Sequence, residues 1–235
     1  MKNLYKSLAL LCLVCCFTSC QKEYYIDSGV HEANFGGSII DYLDTRPEYF
    51  DTLVNVIKIA GLEETLRNEE VTFFAPPNGS ISKSIWALNR YLRRDGKDTV
   101  SQLTQIKPAV WKELLSLYII PGKYTLKDIP QLDTMNIESY GGQSYESLEK
   151  VPMVLGVIYN DAGGVKYAGY RQLWLSFIKD YGNPKRGRVN IPVATSNILP
   201  KNSVLHVLAF RYHNFGFTND NFILKSMSAG IGVAQ

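Results

Sequence analysis

The chain has 235 residues, with 25 lysines and arginines, 22 aspartates and glutamates, and four cysteines. A formal charge of +3 gives no overall electrostatic case for nucleic acid, which binds strongly basic surfaces. A chain of this length can bury a hydrophobic core that stabilises it without covalent cross-links.

The N-terminus predicts an export signal that ends in lipid attachment. Two lysines precede an apolar run, residues 8–17, which is shorter than the roughly 20 residues that span a bilayer. Two small residues then stand directly before Cys20, an arrangement that resembles a bacterial lipobox. We expect residues 1–19 to be a lipoprotein signal peptide. Residues 20–34 are then expected to be a tether that carries lipid, such as palmitate, on Cys20. An ordinary secretory signal with an unrelated cysteine is the alternative.

Removal of this leader changes the charge and the cysteine content of the exported chain. Both leader lysines leave with it, so the formal charge falls from +3 to +1, and Cys20 is the one cysteine that stays. No disulfide and no cysteine metal site is therefore expected. Residues 21–23 resemble the surface-export tag of Bacteroidota lipoproteins, or form a plain polar tether. We expect a lipid-anchored protein of the cell envelope at the outer membrane, with exposure on the cell surface left open.

Helical patterns fill the first part of the exported chain. Residues 38–43 predict a short helix, and Thr45 and Glu48 have the spacing of a capping box. Further along the chain, apolar residues at 50, 53, 54 and 57 recur at i, i+3, i+4 and i+7. This spacing is typical of a helix with one buried face. Asn78 is predicted to cap another helix, and Pro108 suits the first turn of a further one.

Strand patterns dominate the second part of the chain. Apolar and β-branched residues predict strands, and residues 161–164 predict a hairpin turn. Residues 226–235 are rich in small side chains and are expected to fray or to form an edge strand. Helices followed by strands indicate an α+β fold. The predicted strands are residues 71–75, 153–159, 165–178, 189–193 and 204–210.

Two segments that lie far apart, residues 72–78 and 202–207, each place an apolar strand beside a polar turn. With residues 38–43, 59–62 and 119–124, and in this order, they resemble the signature segments of fasciclin domains, which are extracellular adhesion and binding modules. The resemblance implies a fasciclin-like β-wedge or sandwich with N-terminal helices packed on it.

The resemblance also sets the expected domain limits. Residues 35–215 are expected to form a single fasciclin-like domain, and residues 216–235 a C-terminal extension. Residues 128–188 exceed what the family core requires, so we expect an elaborated β-hairpin insert there.

Two departures from the family bear on function. In matrix-type fasciclin proteins a Tyr-His pair and an Asp-Ile element are linked to integrin adhesion. The corresponding pairs here are Leu117-Tyr118 and Asn197-Ile198, which lack the histidine and the acidic charge. The resemblance therefore supports the fold and does not support an integrin role.

The insert is the segment in which we expect ligand contacts. It concentrates aromatic residues between glycines, and such residues either pack a sheet or present flat surfaces to a partner. Loops on a rigid scaffold commonly carry binding residues. The candidate ligand-binding residues are Tyr140, Tyr145, Tyr167, Tyr170 and Trp174.

No catalytic constellation is recognisable. The histidines at 31, 206 and 213 have no metal-ligand spacing with one another, and His206 is expected to be a hydrogen-bonded core histidine. The carboxylate pairs Asp41/Asp44 and Glu63/Glu64 fit solvent-facing helix positions. We therefore predict no catalytic residue, metal or cofactor.

The sequence favours a lipid-anchored binding or adhesion module that recognises an extracellular protein or glycan. The alternative is an accessory lipoprotein of an outer-membrane nutrient-uptake complex. A third class, a hydrolase with an unrecognised site, stays open. A nucleic-acid partner is not expected.

Overall fold

A computed structural model describes residues 34–232. The predicted leader and most of the tether, with Cys20 and His31, lie outside the described residues, as do residues 233–235. Helices precede most of the strands, so the predicted α+β fold is confirmed. None of the helices within residues 34–232 has the length and apolar composition needed to cross a bilayer.

The helices pack mainly against one another and share one hydrophobic core with the sheet. Most of the largest buried side chains come from these helices and from the first strand. A short 3₁₀ turn, Phe210–Tyr212, follows the last strand. Within residues 34–232 the α-helices are α1 (Ile39–Asp44), α2 (Pro47–Ala60), α3 (Glu63–Asn68), α4 (Asn78–Arg94), α5 (Pro108–Ser116) and α6 (Asn219–Ala229).

The strands of the described residues join one mixed sheet in the order β2-β1-β8-β7-β6-β5-β3, with β4 also paired to β5. β1 runs parallel to β8, and β5, β6, β7 and β8 are antiparallel neighbours. The strands are β1 (Val71–Ala75), β2 (Ile119–Pro121), β3 (Gln131–Leu132), β4 (Gln143–Glu146), β5 (Pro152–Tyr159), β6 (Arg171–Ile178), β7 (Arg188–Ile198) and β8 (Val204–Leu208).

The two signature segments become adjacent strands, β1 and β8, and their register places Phe74 beside His206. Phe73 and Phe74 are both fully buried. The double proline after Ala75 ends β1 because proline cannot donate a ladder hydrogen bond. The segments that resemble the family most therefore build one continuous part of the core.

The capping box expected at Thr45 and Glu48 is wrong. Pro47 occupies the first helical position of α2, where its fixed φ and missing N–H are favourable. This moves Glu48 out of the position from which it could bond back to Thr45. The capping box lies one helix earlier: the Ser38 hydroxyl accepts from the Asp41 amide at 3.2 Å, and the Asp41 carboxylate accepts from the Ser38 amide at 2.8 Å.

Asn78 does not cap α4. It is the first residue of that helix, and Pro77 holds the cap position. Its side chain instead ties α4 to α2, because Oδ1 accepts from the amides of Thr52 (3.0 Å) and Leu53 (3.2 Å). Its Nδ2 donates to the carboxylate of Asp51 at 2.6 Å.

The strand expected over residues 165–178 begins later, at Arg171. Residues 160–170 form the connection between β5 and β6, because the Asp161 carboxylate accepts from the Tyr167 amide and Asn160 bonds to Gly169 and Tyr170, which folds this stretch onto itself. Residues 226–229 belong to α6, so the edge strand or frayed end expected for residues 226–235 is wrong there, whereas Ile231 forms an antiparallel bridge with Ile106. The ring of Phe222 in α6 is fully buried and lies 5.7 Å from that of Trp111, and this contact anchors the helix.

The segment 128–188 builds the far end of the sheet. β5 and β6 form a long antiparallel hairpin. β3 and β4 share the other edge of β5, with β3 against its end and β4 against its beginning.

Candidate functional site

The five candidate ligand-binding residues do not form one site. Tyr140 and Tyr167 contact each other, with ring centroids 6.0 Å apart. Tyr145 packs elsewhere, against Tyr124 at 4.8 Å. Trp174 lies in the middle of β6, beside Pro192 of β7.

Tyr140 and Tyr167 belong to a group at the end of the β5–β6 hairpin, which we call the tip cluster. Loop, strand and turn residues converge there because the β5–β6 connection folds back over the loop between β3 and β4. The tip cluster consists of Asp133, Tyr140, Tyr159, Lys166, Tyr167 and Arg171.

A tight glycine turn directs the chain back to this cluster. Gly163 and Gly164 have φ of +58° and +77°, the left-handed values that a two-residue hairpin turn requires at both positions. Ala162 and Val165 close the turn with two hydrogen bonds, at 3.1 and 2.9 Å. The predicted turn at residues 161–164 is therefore present, inside a longer connection.

Tyr167 is held in a strained conformation. Its φ is +63°, which is uncommon for a bulky residue and persists only where surrounding contacts enforce it. Its amide donates to Asp161 Oδ1 at 2.8 Å, and its hydroxyl donates to Asp133 Oδ2 at 2.6 Å. Nη1 of Arg171 donates to its carbonyl at 3.0 Å. Two contacts to its backbone and one to its hydroxyl thus hold this residue in place.

The electrostatics of the cluster reinforce this arrangement. The hydroxyl of Tyr167 holds the pKa of Asp133 below its usual value, and the same bond raises the pKa of Tyr167. Lys166 Nζ lies 3.8 Å from Asp133 Oδ2 and 4.6 Å from the Tyr167 ring centroid. Asp133 is therefore ionised near neutral pH while Tyr167 keeps its proton.

The rings of the cluster stand edge to face. Tyr140 meets Tyr167 at 76°, and Tyr159 meets it at 84° with centroids 6.5 Å apart. The guanidinium of Arg171 lies 3.5 Å from the Tyr159 ring centroid, within the range of a cation–π contact. Tyr140 is 38% exposed and Tyr170, just before β6, is 68% exposed. The cluster can present ordered aromatic surface to a partner.

Sequence reasoning missed the charged members of the cluster. Asp133, Lys166 and Arg171 are separated along the chain, and only the fold brings them to the tyrosines. The sequence offers one signal for them: a basic residue stands directly next to a tyrosine twice, in Lys166-Tyr167 and in Tyr170-Arg171.

A groove of about 510 Å³ lies between α5, α6 and the end of β6. Leu117, which stands where matrix-type fasciclin proteins carry an adhesive tyrosine, lines this groove and is only 5% exposed. Lys225 and Glu113, 2.5 Å apart, form an ion pair on its wall.

The neighbouring Tyr118 is a core residue. Its hydroxyl accepts from the Gly216 amide at 2.8 Å, and therefore donates its own proton to Nε2 of His213, also at 2.8 Å. Its ring stacks on Phe217 with centroids 4.9 Å apart. Burial raises the pKa of Tyr118 and lowers the pKa of His213 to about 3. Both groups are neutral and serve packing.

His206 is the hydrogen-bonded core histidine that the sequence predicts. Its Nδ1 accepts from the Asn197 amide at 3.2 Å, so Nε2 carries the proton and donates to the Tyr124 carbonyl at 3.0 Å. Burial lowers its pKa to about 4. Asn197 has φ of +63°, and its Oδ1 accepts from the Leu126 amide at 2.8 Å, so it too has a structural role.

Other polar candidates are also engaged in structure. Asp41 accepts from Ser38 and from Arg67, each at 2.8 Å. Across residues 34–232, no group of three or more His, Cys, Asp or Glu side chains is arranged to hold a metal ion.

Comparison with known proteins identifies a family and supports the fold. Residues 48–162 match the family model of the fasciclin domain. The match includes residues 128–162, which are the first part of the insert expected from the family resemblance. Asp133, Tyr140 and Tyr159 thus lie within the matched segment, whereas Tyr167 and Arg171 lie beyond it. No curated protein sequence matches the chain.

Among solved structures, the chain is similar to a FAS1 domain pair from the insect cell adhesion molecule fasciclin I. The TM-score is 0.50 and the sequence identity 13%, over 80% of this chain and 52% of that one. The chain thus spans about half the length of the domain pair, and at this identity the likeness concerns the fold alone.

Proposed function

This chain carries a fasciclin domain over residues 48–162, and from that premise we propose that it is a non-catalytic binding module. It captures a protein or glycan partner at the cell envelope, to which lipid on Cys20 anchors it. Fasciclin I, which shares the fold, is a cell adhesion molecule, and this supports a binding role. The tip cluster is the observation that carries the proposal for where the partner binds.

Three properties of the tip cluster favour binding. It combines partly exposed tyrosines with arginine, and these residue types carry much of the energy of protein interfaces. Its tyrosines are ordered in advance by the contacts of Tyr167, so a partner would not need to immobilise them. It lies on a hairpin tip supported by a sheet, where binding residues commonly occur.

Leu117 and Tyr118, at the position of the family's adhesive pair, are poorly placed to bind a partner. Leu117 is nearly inaccessible and Tyr118 is fully buried with its hydroxyl satisfied. Tyr118 cannot reach a partner without rearrangement of the core, and Leu117 contributes only a nearly inaccessible part of the groove wall. Binding is therefore assigned to the tip cluster and not to the inherited position.

A ligand screen followed by substitution tests this assignment. The purified protein is first screened against a glycan array and against collagen, fibronectin and laminin. For a ligand found, Tyr140→Ala in the cluster and Tyr170→Ala directly beside it each weaken binding by about 1–2 kcal/mol and leave the melting temperature nearly unchanged. Tyr167→Phe removes the bond to Asp133 while keeping the ring, and weakens binding less.

Tyr145→Ala and Trp174→Ala serve as matched aromatic controls away from the cluster. They leave the affinity for the same ligand unchanged. If these controls weaken binding as much as Tyr140→Ala does, the tip cluster is not the binding site.

The anchoring part of the proposal rests on Cys20 and the small residues before it. Cys20→Ala releases the protein from the membrane fraction or leaves it unprocessed, since lipid can no longer be attached. Fractionation of cell envelopes followed by mass determination measures both outcomes. A variant that matures and partitions as the wild type does contradicts lipid anchoring.

A further inference from the structure

A second exposed surface, distinct from the tip cluster, runs along α4 and the 3₁₀ turn after β8. Trp86 is 59% exposed, Phe210 57% and Tyr212 64%. Exposed apolar patches often mark interaction sites. We call this surface the α4 face; it consists of Lys83, Trp86, Arg90, Phe210, Arg211 and Tyr212.

Contacts show that the α4 face is continuous. Lys83 Nζ donates to the Phe210 carbonyl at 2.6 Å and lies 6.0 Å from the Phe210 ring centroid, which joins the turn to the helix. Lys83, Trp86 and Arg90 share one side of α4, because residues three, four and seven positions apart align on a helix. The guanidinium of Arg90 lies 5.2 Å from the Trp86 ring centroid.

The charge of this surface is of one sign. α4 contains no aspartate or glutamate, and none of its cations is ion-paired with a carboxylate within residues 34–232. Asp95, which follows the helix, is paired with Lys97 at 2.6 Å. The helix dipole accounts for Arg93 and Arg94 in the last turn, but it does not account for Lys83 and Arg90.

We propose that the α4 face binds an acidic polysaccharide, a glycan that carries carboxylate or sulfate groups. The exposed guanidinium groups of Arg90 and Arg211 attract the acidic groups, and clusters of basic residues are typical of sites for sulfated glycans. The flat faces of Trp86, Phe210 and Tyr212 suit the C–H faces of sugar rings between those groups.

Two other anionic partners fit this surface less well. The protein's own membrane is one: the described chain enters beside Leu199, before β8, whereas the α4 face lies after the end of β8. Under the proposed anchoring through Cys20, the tether therefore leaves from the opposite end of that strand. Nucleic acid is the other, and its affinity depends on neutralising many phosphates, more than this short face can reach.

Direct binding measurements test the proposal. The purified protein is titrated with polygalacturonate and with heparin, with neutral dextran, a single-stranded DNA oligomer and anionic vesicles as comparison ligands. We expect binding to an acidic glycan that weakens as salt rises from about 50 to 200 mM, with a smaller salt dependence after each arginine is removed. Trp86→Ala weakens binding about tenfold because an aromatic anchor is lost.

Matched variants separate the α4 face from general charge. Arg90→Gln and Arg211→Gln weaken acidic-glycan binding, whereas Lys58→Gln and Lys201→Gln, exposed cations elsewhere, do not. Tyr181→Ala, an exposed aromatic outside the face, also leaves binding unchanged. All of these positions are on the surface, so thermal unfolding should stay near that of the wild type.

Three results overturn the proposal. One is the absence of binding to both acidic glycans. Another is equal loss of binding in the control variants and in Trp86→Ala. The third is tighter, Trp86-dependent binding to the DNA oligomer or the vesicles, which assigns the face to that partner instead. None of these results bears on the tip cluster, whose residues are not changed.

Discussion

Phe74 is the side chain through which the two signature strands meet. It is fully buried, and its ring centroid lies 5.0 Å from that of His206 on the adjacent strand. Phe74→Ala removes this packing and leaves a cavity, which lowers the free energy of unfolding by about 3–5 kcal/mol. Urea denaturation of the purified protein measures the loss.

Leu224→Ala is the control for this substitution. Leu224 is 65% exposed on α6, so its truncation changes stability by less than about 0.5 kcal/mol. A loss below about 1 kcal/mol for Phe74→Ala would show that β1 is not the core strand described above.

Single residues also show where sequence reasoning succeeds. Phe74 and His206 could be placed in the core because each lies in an apolar run that the family likeness identifies as a core strand, and all five residues of β1 are buried. Tyr145 and Trp174 could not be separated from Tyr140, because composition does not tell which tyrosines face a loop and which face a neighbouring strand. Asn78 was assigned to its own helix because side-chain contacts between helices leave no local pattern.

At the scale of elements, β3 is a two-residue strand that lies against the end of β5. Leu132 of β3 packs directly over Gly156 of β5, where an added Cβ would overlap the leucine side chain. Gly156→Ala therefore destabilises the protein by about 1–3 kcal/mol through overpacking. Thermal or urea unfolding measures the effect.

A double-mutant cycle checks that the cost comes from this contact. Leu132→Gly removes the Cβ that the new methyl group would meet, so the double variant should lose less stability than the two single changes added together. Gly36→Ala is the control, because no atom lies within 4 Å of a Cβ added there. Strict additivity of the two changes would mean that β3 is not seated on Gly156.

The predicted elements differ from the observed ones for local reasons. The glycine turn at residues 161–164 could be read directly, because two consecutive glycines satisfy a turn with two positive φ angles. The strand expected from residue 165 could not be corrected from sequence, since the contacts of Tyr167 with Asp161 and Asp133 override its strand preference. The C-terminal helix was missed because small residues mask an apolar face that Phe222 anchors.

For the whole molecule, two buried histidines make stability depend on pH. Burial lowers the pKa of His206 to about 4 and that of His213 to about 3, whereas both titrate near 6.5 when unfolded. Above pH 6.5 both states are neutral and neither histidine affects stability. Below it the unfolded state gains protons first, so the free energy of unfolding falls by about 1.4 kcal/mol per pH unit for each histidine.

Urea denaturation between about pH 7.5 and 4.5 measures this slope. His206→Gln and His213→Gln each remove one titrating group, so each variant is less stable at neutral pH but loses stability more slowly as the pH falls. A slope that is the same in the wild type and in both variants would contradict the assignment of the two imidazoles as neutral core groups.

The parallel pairing of β1 with β8 has a consequence for how the chain folds. The two strands lie far apart in the sequence, and residues 72–75 pair with residues 204–207. Bringing them together closes a long loop, which slows folding because the chain loses conformational entropy before the strand contacts can compensate for it. While β8 has not yet emerged, β1 keeps one edge open and can pair with other chains. The domain therefore cannot complete its sheet during synthesis until β8 has been made. A chain that ends before residue 204 is expected to aggregate.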